Sequence, residues 1–273
     1  MSRARGFLEP VTVAEFLSAT PDPPDDLVEG LLGPGELGVL AAEPKLGKTW
    51  FAIQLGIAVA SGSGLAAHWA VPKPARTLLV VEEGRPGDLR DRLRQLLPDS
   101  AAADLGLFVL AFDGIRLDLP DHVAELIRHI KALGIGLVIL DPLYRMHQQD
   151  ENDAVAMRPV ISALRRVADT GAAVLLVHHL RKPARDARSN GGASGADLRG
   201  TGALHAAYDT GILLSAKPES EAVLARVERR SGPGYGVDMR LGADGPGFVV
   251  VPAELTSSTA AVSHRRRGVS RGR

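Results

Sequence analysis

The chain contains no cysteine at all, so it forms no disulfide and offers no thiolate to a metal, which fits the reducing cytoplasm. It also lacks net charge: Lys plus Arg and Asp plus Glu number 32 each, so a polyanion would need a local basic patch. No apolar run is long enough to span a bilayer, and the start MSRARGFLEPVTV lacks the apolar core of a signal peptide. We therefore expect a soluble, cytoplasmic protein that does not enter a membrane.

What the sequence does contain is a phosphate-loop pattern, AEPKLGKT, between a strand-like run at 37–41 and a helix-like run at 50–60. In such loops, backbone N–H groups at a helix N-terminus face the phosphate oxygens. Gly47 permits close approach of the backbone, Lys48 reaches the β- and γ-phosphates of ATP, and the Thr49 hydroxyl ligates Mg²⁺. The predicted nucleotide-binding residues are Ala42 (where glycine is usual), Glu43, Pro44, Lys45, Leu46, Gly47, Lys48, Thr49 and Trp50.

Strand-like and helix-like runs alternate after the phosphate loop. Apolar runs lie at 77–82, 107–112, 137–140 and 173–177, with helix patterns at 86–97, 121–133 and 154–170 between them. Apolar strands separated by helices predict an α/β fold with a mostly parallel central sheet covered on both faces.

A different pattern begins after residue 205. The strand-like runs at 210–216, 222–229, 237–241 and 248–251 have Gly/Pro turns between most of them and predict an antiparallel extension near the C-terminus. Residues 1–26 predict a flexible arm, residues 27–255 one domain, and residues 256–273 a disordered basic tail.

Acidic residues end two of the predicted strands. Asp141 closes the run LVILD, which places a carboxylate at the carboxyl edge of the sheet, where it could hold Mg²⁺ directly or through water. Glu82 and Glu83 close the run at 77–81, and either could orient or deprotonate a water for hydrolysis.

Two further pairs stand at strand ends. Neighbours on a strand point to opposite faces, so one of His178 and His179 is expected on the nucleotide side, where it could sense the γ-phosphate. Arg229 and Arg230 precede a Ser-Gly-Pro turn. An arginine there fits either a finger that reaches a neighbouring subunit's γ-phosphate or an exposed pair at a turn.

The segment 181–199 is long, basic and rich in glycine and serine. Long loops without structure of their own are usually functional or disordered, and the positive charge suits contact with a phosphate backbone. No aromatic residues interleave, so base stacking is not indicated, and a solvated surface loop is the alternative. The candidate DNA-binding residues are Arg181, Lys182, Arg185, Arg188 and Arg199.

The order of these motifs resembles the RecA-like ATPases of the hexameric plasmid replicative helicase type, often called RepA-like. The matching stretches, all within 27–216, are LVEGLLGPGELGVLAAEPKLGKTWFAIQLGIAVASG, TLLVVEEG followed by RDRL, LVILDPLYRMHQQDEND, VLLVHHLRK and RGTGALHAAYDTGILL. The resemblance implies a RecA-like P-loop ATPase domain at 27–255 and a DNA-facing role for the loops after Asp141 and His179.

The same resemblance implies roles for single residues. Counting back from Arg92 places the water-directing acid at Glu83, although Gly84 replaces the second acid of the family's pair. His178 and His179 fall where the family couples nucleotide state to DNA. Arg230 falls at the place of an arginine finger, and Glu228 stands where lysine is common.

From the residues and the resemblance we expect an enzyme that binds and hydrolyses Mg²⁺-ATP between subunits of a homo-oligomeric ring, a hexamer. It would act on single-stranded DNA in DNA replication, as a replicative-helicase-like protein of a plasmid or other mobile element. The alternatives are a recombinase-like or signalling ATPase without unwinding activity, and a nucleotide-gated DNA-binding module that hydrolyses ATP poorly.

Overall fold

The computed structural model describes residues 10–22, 24–97, 104–180, 194–198, 202–217, 220–242 and 247–251. Within these residues nine strands form one sheet. They are β1 (Leu37–Ala42), β2 (Arg76–Val81), β3 (Leu107–Ala111), β4 (Ile135–Asp141), β5 (Ala173–His179), β6 (Thr210–Ala216), β7 (Val223–Arg229), β8 (Gly232–Leu241) and β9 (Phe248–Val250). The order across the sheet is β3-β2-β4-β5-β1-β6-β7-β8-β9.

Neighbouring strands from β3 to β6 pair in parallel, and those from β6 to β9 pair antiparallel. The predicted α/β fold, a mostly parallel sheet with an antiparallel C-terminal extension, is therefore confirmed. The described helices are α1 (Val13–Ala19), α2 (Lys48–Ser61), α3 (Pro86–Leu96), α4 (Pro120–Leu133), α5 (Arg158–Ala168) and α6 (Gly202–Ala207). None of these helices has both the length and the apolar character needed to cross a membrane.

The strands are apolar on both sides because helices cover both faces of the sheet. Along β1, Leu40 and Ala42 join the apolar cluster that contains Phe51 of α2, whereas Leu37 and Val39 join the cluster on the opposite face. Helices α2 and α3 contribute to the first cluster, and α4, α5 and α6 contribute to the second. This alternation with period two decides which strand-end side chains can reach the phosphate loop.

Helix α2 carries the phosphate loop against the sheet. Its N-cap, Gly47, has φ 82°, in the left-handed region that glycine adopts without a steric penalty. One and a half turns before the helix ends, Gly56 lies so close to the sheet that a Cβ there would be 3.1 Å from Ile139 Cδ1. The helix is therefore seated directly on β4.

The last described strand packs onto the phosphate loop. Phe248 is fully buried, with its ring centroid 5.8 Å from that of Phe51. Gln54 of α2 donates its side-chain amide to the Phe248 carbonyl at 2.8 Å and accepts the Phe248 N–H at 2.7 Å. A Cβ built on Gly47 would come within 2.8 Å of the Phe248 ring. The ring can therefore occupy this position only because residue 47 has no side chain.

Two elements begin four or five residues away from the predicted start. The helix predicted from 154 begins at Arg158, because the Asp153 carboxylate accepts the backbone N–H of Val155 at 2.8 Å and holds a turn there. The strand predicted at 237–241 begins at Gly232, because Gly232 pairs with Arg229 across a two-residue turn. Gly and Pro in this segment thus occupy the strand and not a longer turn.

The predicted N-terminal arm contains α1, which the sequence prediction omitted. Thr12 and Glu15 form a capping box: the Thr12 Oγ1 accepts the Glu15 N–H at 3.2 Å and Glu15 Oε2 accepts the Thr12 N–H at 2.9 Å. At the arm's last position, Asp26 accepts a hydrogen bond from Arg229 Nη1 at 2.9 Å. The boundary at residue 26 stays a prediction.

We expect Phe248→Ala to lower the free energy of unfolding by about 3–5 kcal/mol, because it empties a fully buried ring site between Gly47 and Phe51. Urea unfolding followed by circular dichroism measures it. The control is Phe16→Ala on α1, where the side chain is 58% exposed and the change should stay within about 0.5 kcal/mol. Equal effects of both substitutions would contradict the packing role of Phe248.

Candidate nucleotide-binding site

The carboxyl ends of four parallel strands meet at one edge of the sheet. The pairing places Ala42 beside His179 and Val81 beside Asp141, so β1, β5, β4 and β2 end at nearly the same level. A cavity of about 310 Å³ opens at this edge. Its lining residues are Pro44, Lys45, Gly47, Lys48, Thr49, Trp50, Glu83, Arg92, Asp141, Pro142, Val177 and His179.

The phosphate loop forms one wall of this cavity. Six of the nine residues predicted to bind nucleotide line it, and the other three, Ala42, Glu43 and Leu46, shape the loop from behind. Ala42 is a buried residue of β1 in extended conformation, so an alanine fits where glycine is usual. Lys45 and Gly47 have φ 69° and 82°, which curls the loop around the cavity.

Lys48 is folded back onto the loop. Its Nζ donates to the carbonyls of Ala42 at 3.2 Å and Glu43 at 3.4 Å, and the side chain is buried. Burial lowers the pKa of Lys48, while the nearby Asp141 and Glu83 carboxylates act in the opposite direction. These carbonyl contacts are ones that an ammonium group can exchange for phosphate oxygens.

Asp141 lies beside Thr49 at the floor of the cavity and is 5% exposed. Burial raises its pKa to about 6, against the opposing effect of a hydrogen bond with Thr49. A carboxylate and a hydroxyl next to each other are the oxygen donors that Mg²⁺ prefers, so these two residues fit that ion. Below about pH 6 Asp141 is protonated and a poorer ligand.

The structure separates Glu82 from Glu83, which the residues alone left open. Glu82 turns away from the cavity: its two carboxylate oxygens accept the backbone N–H groups of Gly114 at 3.2 Å and Ile115 at 3.1 Å. Glu83 lines the cavity and acts electrostatically on both Lys48 and Asp141. Glu82 thus anchors a loop, whereas Glu83 faces the cavity.

The two histidines lie on opposite faces of β5. His179 follows Leu175 and Val177 on the α2 face and lines the cavity. His178 is buried on the other face, with Nδ1 3.9 Å from Glu151 Oε1. His147 Nε2 lies 3.8 Å from the same Glu151 oxygen. The cavity therefore includes His179, while His178 joins a buried group beneath the loop at 142–157.

Arg230 lies at the edge of the sheet opposite the cavity. Its neighbour Arg229 pairs with Thr210 at the start of β6, and Thr210 pairs with Gly38 near the start of β1. The Arg230 Nη2 donates to the carbonyls of Ala206 at 2.6 Å and Tyr208 at 2.9 Å, and its side chain is 56% exposed. It cannot reach the phosphate loop of its own chain.

Glu228, which stands where lysine is common, makes hydrogen bonds within the chain. Glu228 accepts the Tyr208 hydroxyl at 3.0 Å and the Gly195 N–H at 3.2 Å. It ties β7 to residues 194–198, the described part of the basic segment. The five candidate DNA-binding residues, Arg181, Lys182, Arg185, Arg188 and Arg199, lie outside the described residues.

Sequence reasoning missed two side chains at this site. Arg92 of α3 lines the cavity with its guanidinium 5.9 Å from the centre of the Trp50 ring. The Tyr144 hydroxyl donates to Glu83 Oε1 at 2.9 Å. No local pattern separates Arg92 from the other arginines of α3, and a tyrosine after a strand end carries no signal by itself.

Comparisons with known proteins agree with the fold. A family model described as an AAA domain matches residues 3–185. A solved structure described as an ATPase domain gives a TM-score of 0.64 at 15% identity, over 88% of this chain and 96% of that one. A KaiC-like protein from Pyrococcus horikoshii gives 0.55 at 18% identity, over 83% and 94%. A DnaB-like replicative helicase gives 0.58 at 18% identity, over 79% of this chain and 57% of that one.

We expect Glu83→Gln to slow ATP turnover by about a hundredfold or more, the scale for losing a general base, without loss of ATP binding. Glu82→Gln is the matched control, since it alters a loop anchor one residue away and should leave turnover near wild type. Steady-state phosphate release and binding of a fluorescent ATP analogue measure the two effects. The reverse ranking of the two variants would mean that Glu82 is the acid that meets the water.

Proposed function

Because the chain belongs to the AAA domain family and is an ATPase of RecA-like fold, we propose that it hydrolyses Mg²⁺-ATP between subunits of a ring and couples this to single-stranded DNA. The observation that carries the proposal is the convergence of Lys48, Thr49, Asp141 and Glu83 on one cavity at the carboxyl edge of the sheet. Ligands of open α/β folds bind at this edge.

The phosphate loop would hold the triphosphate. The N-terminus of α2 presents backbone N–H groups to it, and Lys48 exchanges its two carbonyl contacts for phosphate oxygens. Thr49 and Asp141 would hold Mg²⁺, which when bound neutralises charge on the phosphates. Arg92, over the Trp50 ring, adds a positive charge to the same cavity.

Glu83 would direct the attacking water. It stands after β2 on the far side of Asp141 from the phosphate loop, so a γ-phosphate on Lys48 and Thr49 would lie between it and the loop. A carboxylate there can accept a proton from the water that attacks in line with the leaving oxygen. His179, at the end of β5, faces the same space and would respond to the γ-phosphate.

The position of Arg230 supports assembly. Since this arginine lies at the edge opposite its own phosphate loop, it can reach a nucleotide only on a neighbouring chain. An arginine supplied in trans stabilises charge on the transferring phosphoryl group and is worth about 10³–10⁵ in rate. We propose a homo-oligomeric ring, a hexamer, in which each Arg230 completes the next site.

Single-stranded DNA is the proposed partner. The solved DnaB-like protein with the same fold is named a replicative helicase, which supports this choice. The basic residues at 181–199 would bind the phosphate backbone of the DNA. The proposed setting is DNA replication of a plasmid or other mobile element. The likeness to a KaiC-like protein favours, as the second candidate, a recombinase-like or signalling ATPase that does not unwind DNA. A strand-separation assay distinguishes the two.

We expect single-stranded DNA to stimulate ATP turnover more than duplex DNA does. Lys48→Ala should abolish ATP turnover, because the contact with the phosphates is lost. Removing four charges, Arg181, Lys182, Arg185 and Arg188, should abolish the stimulation. It should also reduce the slope of log affinity for single-stranded DNA against log salt concentration by about 0.7 per lost contact. The matched control removes four exposed charges elsewhere: Lys73, Arg90, Arg94 and Lys131. Equal slopes for both variants would contradict the DNA role of the loop.

We also expect turnover per chain to rise with protein concentration, and Arg230→Ala to remove that rise without preventing ATP binding. Mixing inactive Lys48→Ala chains with inactive Arg230→Ala chains should restore part of the activity, because some interfaces then pair an intact phosphate loop with an intact arginine. Arg240→Ala, at an exposed arginine on β8, is the control and should stay active alone. A co-assembled mixture that remains inactive would exclude Arg230 as the finger.

A further inference from the structure

Tyr144 joins the proposed water-directing acid to the loop at 142–157. It lies in a short 3₁₀ turn, Leu143–Arg145, directly after β4. Its hydroxyl donates to Glu83 Oε1 at 2.9 Å, and its ring centre is 5.6 Å from that of His179. The three residues follow or end β2, β4 and β5, which are neighbours in the sheet, so the contact crosses the cavity edge above Asp141.

The tyrosine is held in place from both sides. Leu143 and Met146 are fully buried in the apolar cluster beneath the loop, and the Met146 carbonyl accepts the Leu117 N–H at 2.7 Å. The Arg145 guanidinium lies 5.4 Å from the centre of the Tyr144 ring. These contacts hold the backbone on both sides of Tyr144 and one face of its ring, so the position of its hydroxyl is tied to that of the loop.

The phenol is a donor under all ordinary conditions. Burial raises the pKa of Tyr144, and the bond to Glu83 raises it further, so the hydroxyl keeps its proton. A proton donated to Oε1 leaves the second carboxylate oxygen free to accept from water. A fixed orientation of that oxygen is what a water-directing group needs, since misplacement of a reacting group costs rate steeply.

We propose that Tyr144 is the positioning residue for Glu83, and that it makes the orientation of this carboxylate depend on the loop at 142–157. The proposal rests on the proposed function, because it assigns a role in the hydrolysis that Glu83 directs. Tyr144 is not among the residues that line the cavity around the phosphate loop. It therefore acts through Glu83 and leaves nucleotide binding unchanged.

The test is Tyr144→Phe, which removes the hydroxyl and keeps the ring against His179. We expect kcat for ATP to fall about tenfold, the scale of one hydrogen bond to a charged group, with KM and the affinity for a fluorescent ATP analogue unchanged. In the Glu83→Gln background the same substitution should have no further effect, because residues that act as one unit are not additive. An unchanged or increased kcat, or full additivity in the double variant, would overturn the proposal.

Tyr235→Phe is the matched control. Its hydroxyl is also half-buried and bonded, donating to the Gly30 carbonyl at 3.0 Å and accepting from Trp69 Nε1 at 2.8 Å, but neither of these partners lines the cavity. We expect it to keep wild-type kcat. A wild-type protein without Lys48-dependent turnover would remove the proposed function and this role together, whereas normal turnover in both wild type and Tyr144→Phe would remove this role alone.

Discussion

The parallel register of β1, β2, β4 and β5 is the constraint on which the site depends. Backbone pairing fixes Ala42 beside His179 and Val81 beside Asp141, so the backbone alone brings the residues of the site together. Because the strands alternate between two apolar clusters, the same register sends His179 towards α2 and His178 towards α5. A slip of one residue in any of these strands would exchange the faces of its side chains.

The charges brought together by this register depend on one another. Burial opposes the charged forms of both Lys48 and Asp141, and each in turn favours the charge of the other. Neither the Lys48 charge nor the Asp141 charge is therefore fully stabilised by the protein alone. A ligand that brings anionic phosphate to Lys48 and a cation to Asp141 would supply a partner to each, which supports the proposed Mg²⁺-ATP over phosphate or metal alone.

What the sequence could predict was local or periodic. The phosphate loop, the strand ending at Asp141 and the parallel sheet follow from spacing within short windows. The different surroundings of Glu82 and Glu83 were not readable from the sequence, because the Glu82 carboxylate accepts the backbone N–H groups of Gly114 and Ile115, some thirty residues away, whereas Glu83 lines the cavity. Arg92 and Tyr144 reach the site from α3 and from the turn after β4, so only the folded chain reveals them. Helix α1, by contrast, was predictable from the sequence, because Thr12 and Glu15 form the Thr-x-x-Glu pattern of a capping box at a helix N-terminus.

The seat of Phe248 against Gly47 links two segments that lie far apart in the chain. A ribosome completes β1, the phosphate loop and α2 long before it reaches β9. Until Phe248 emerges, Gln54 lacks the backbone partner that it has in the folded chain, and Phe51 lacks one of its aromatic neighbours. The nascent chain thus holds every residue of its phosphate loop before the ring that packs against Gly47 has been made. Packing of this ring marks the moment when synthesis has delivered the last described support of the loop.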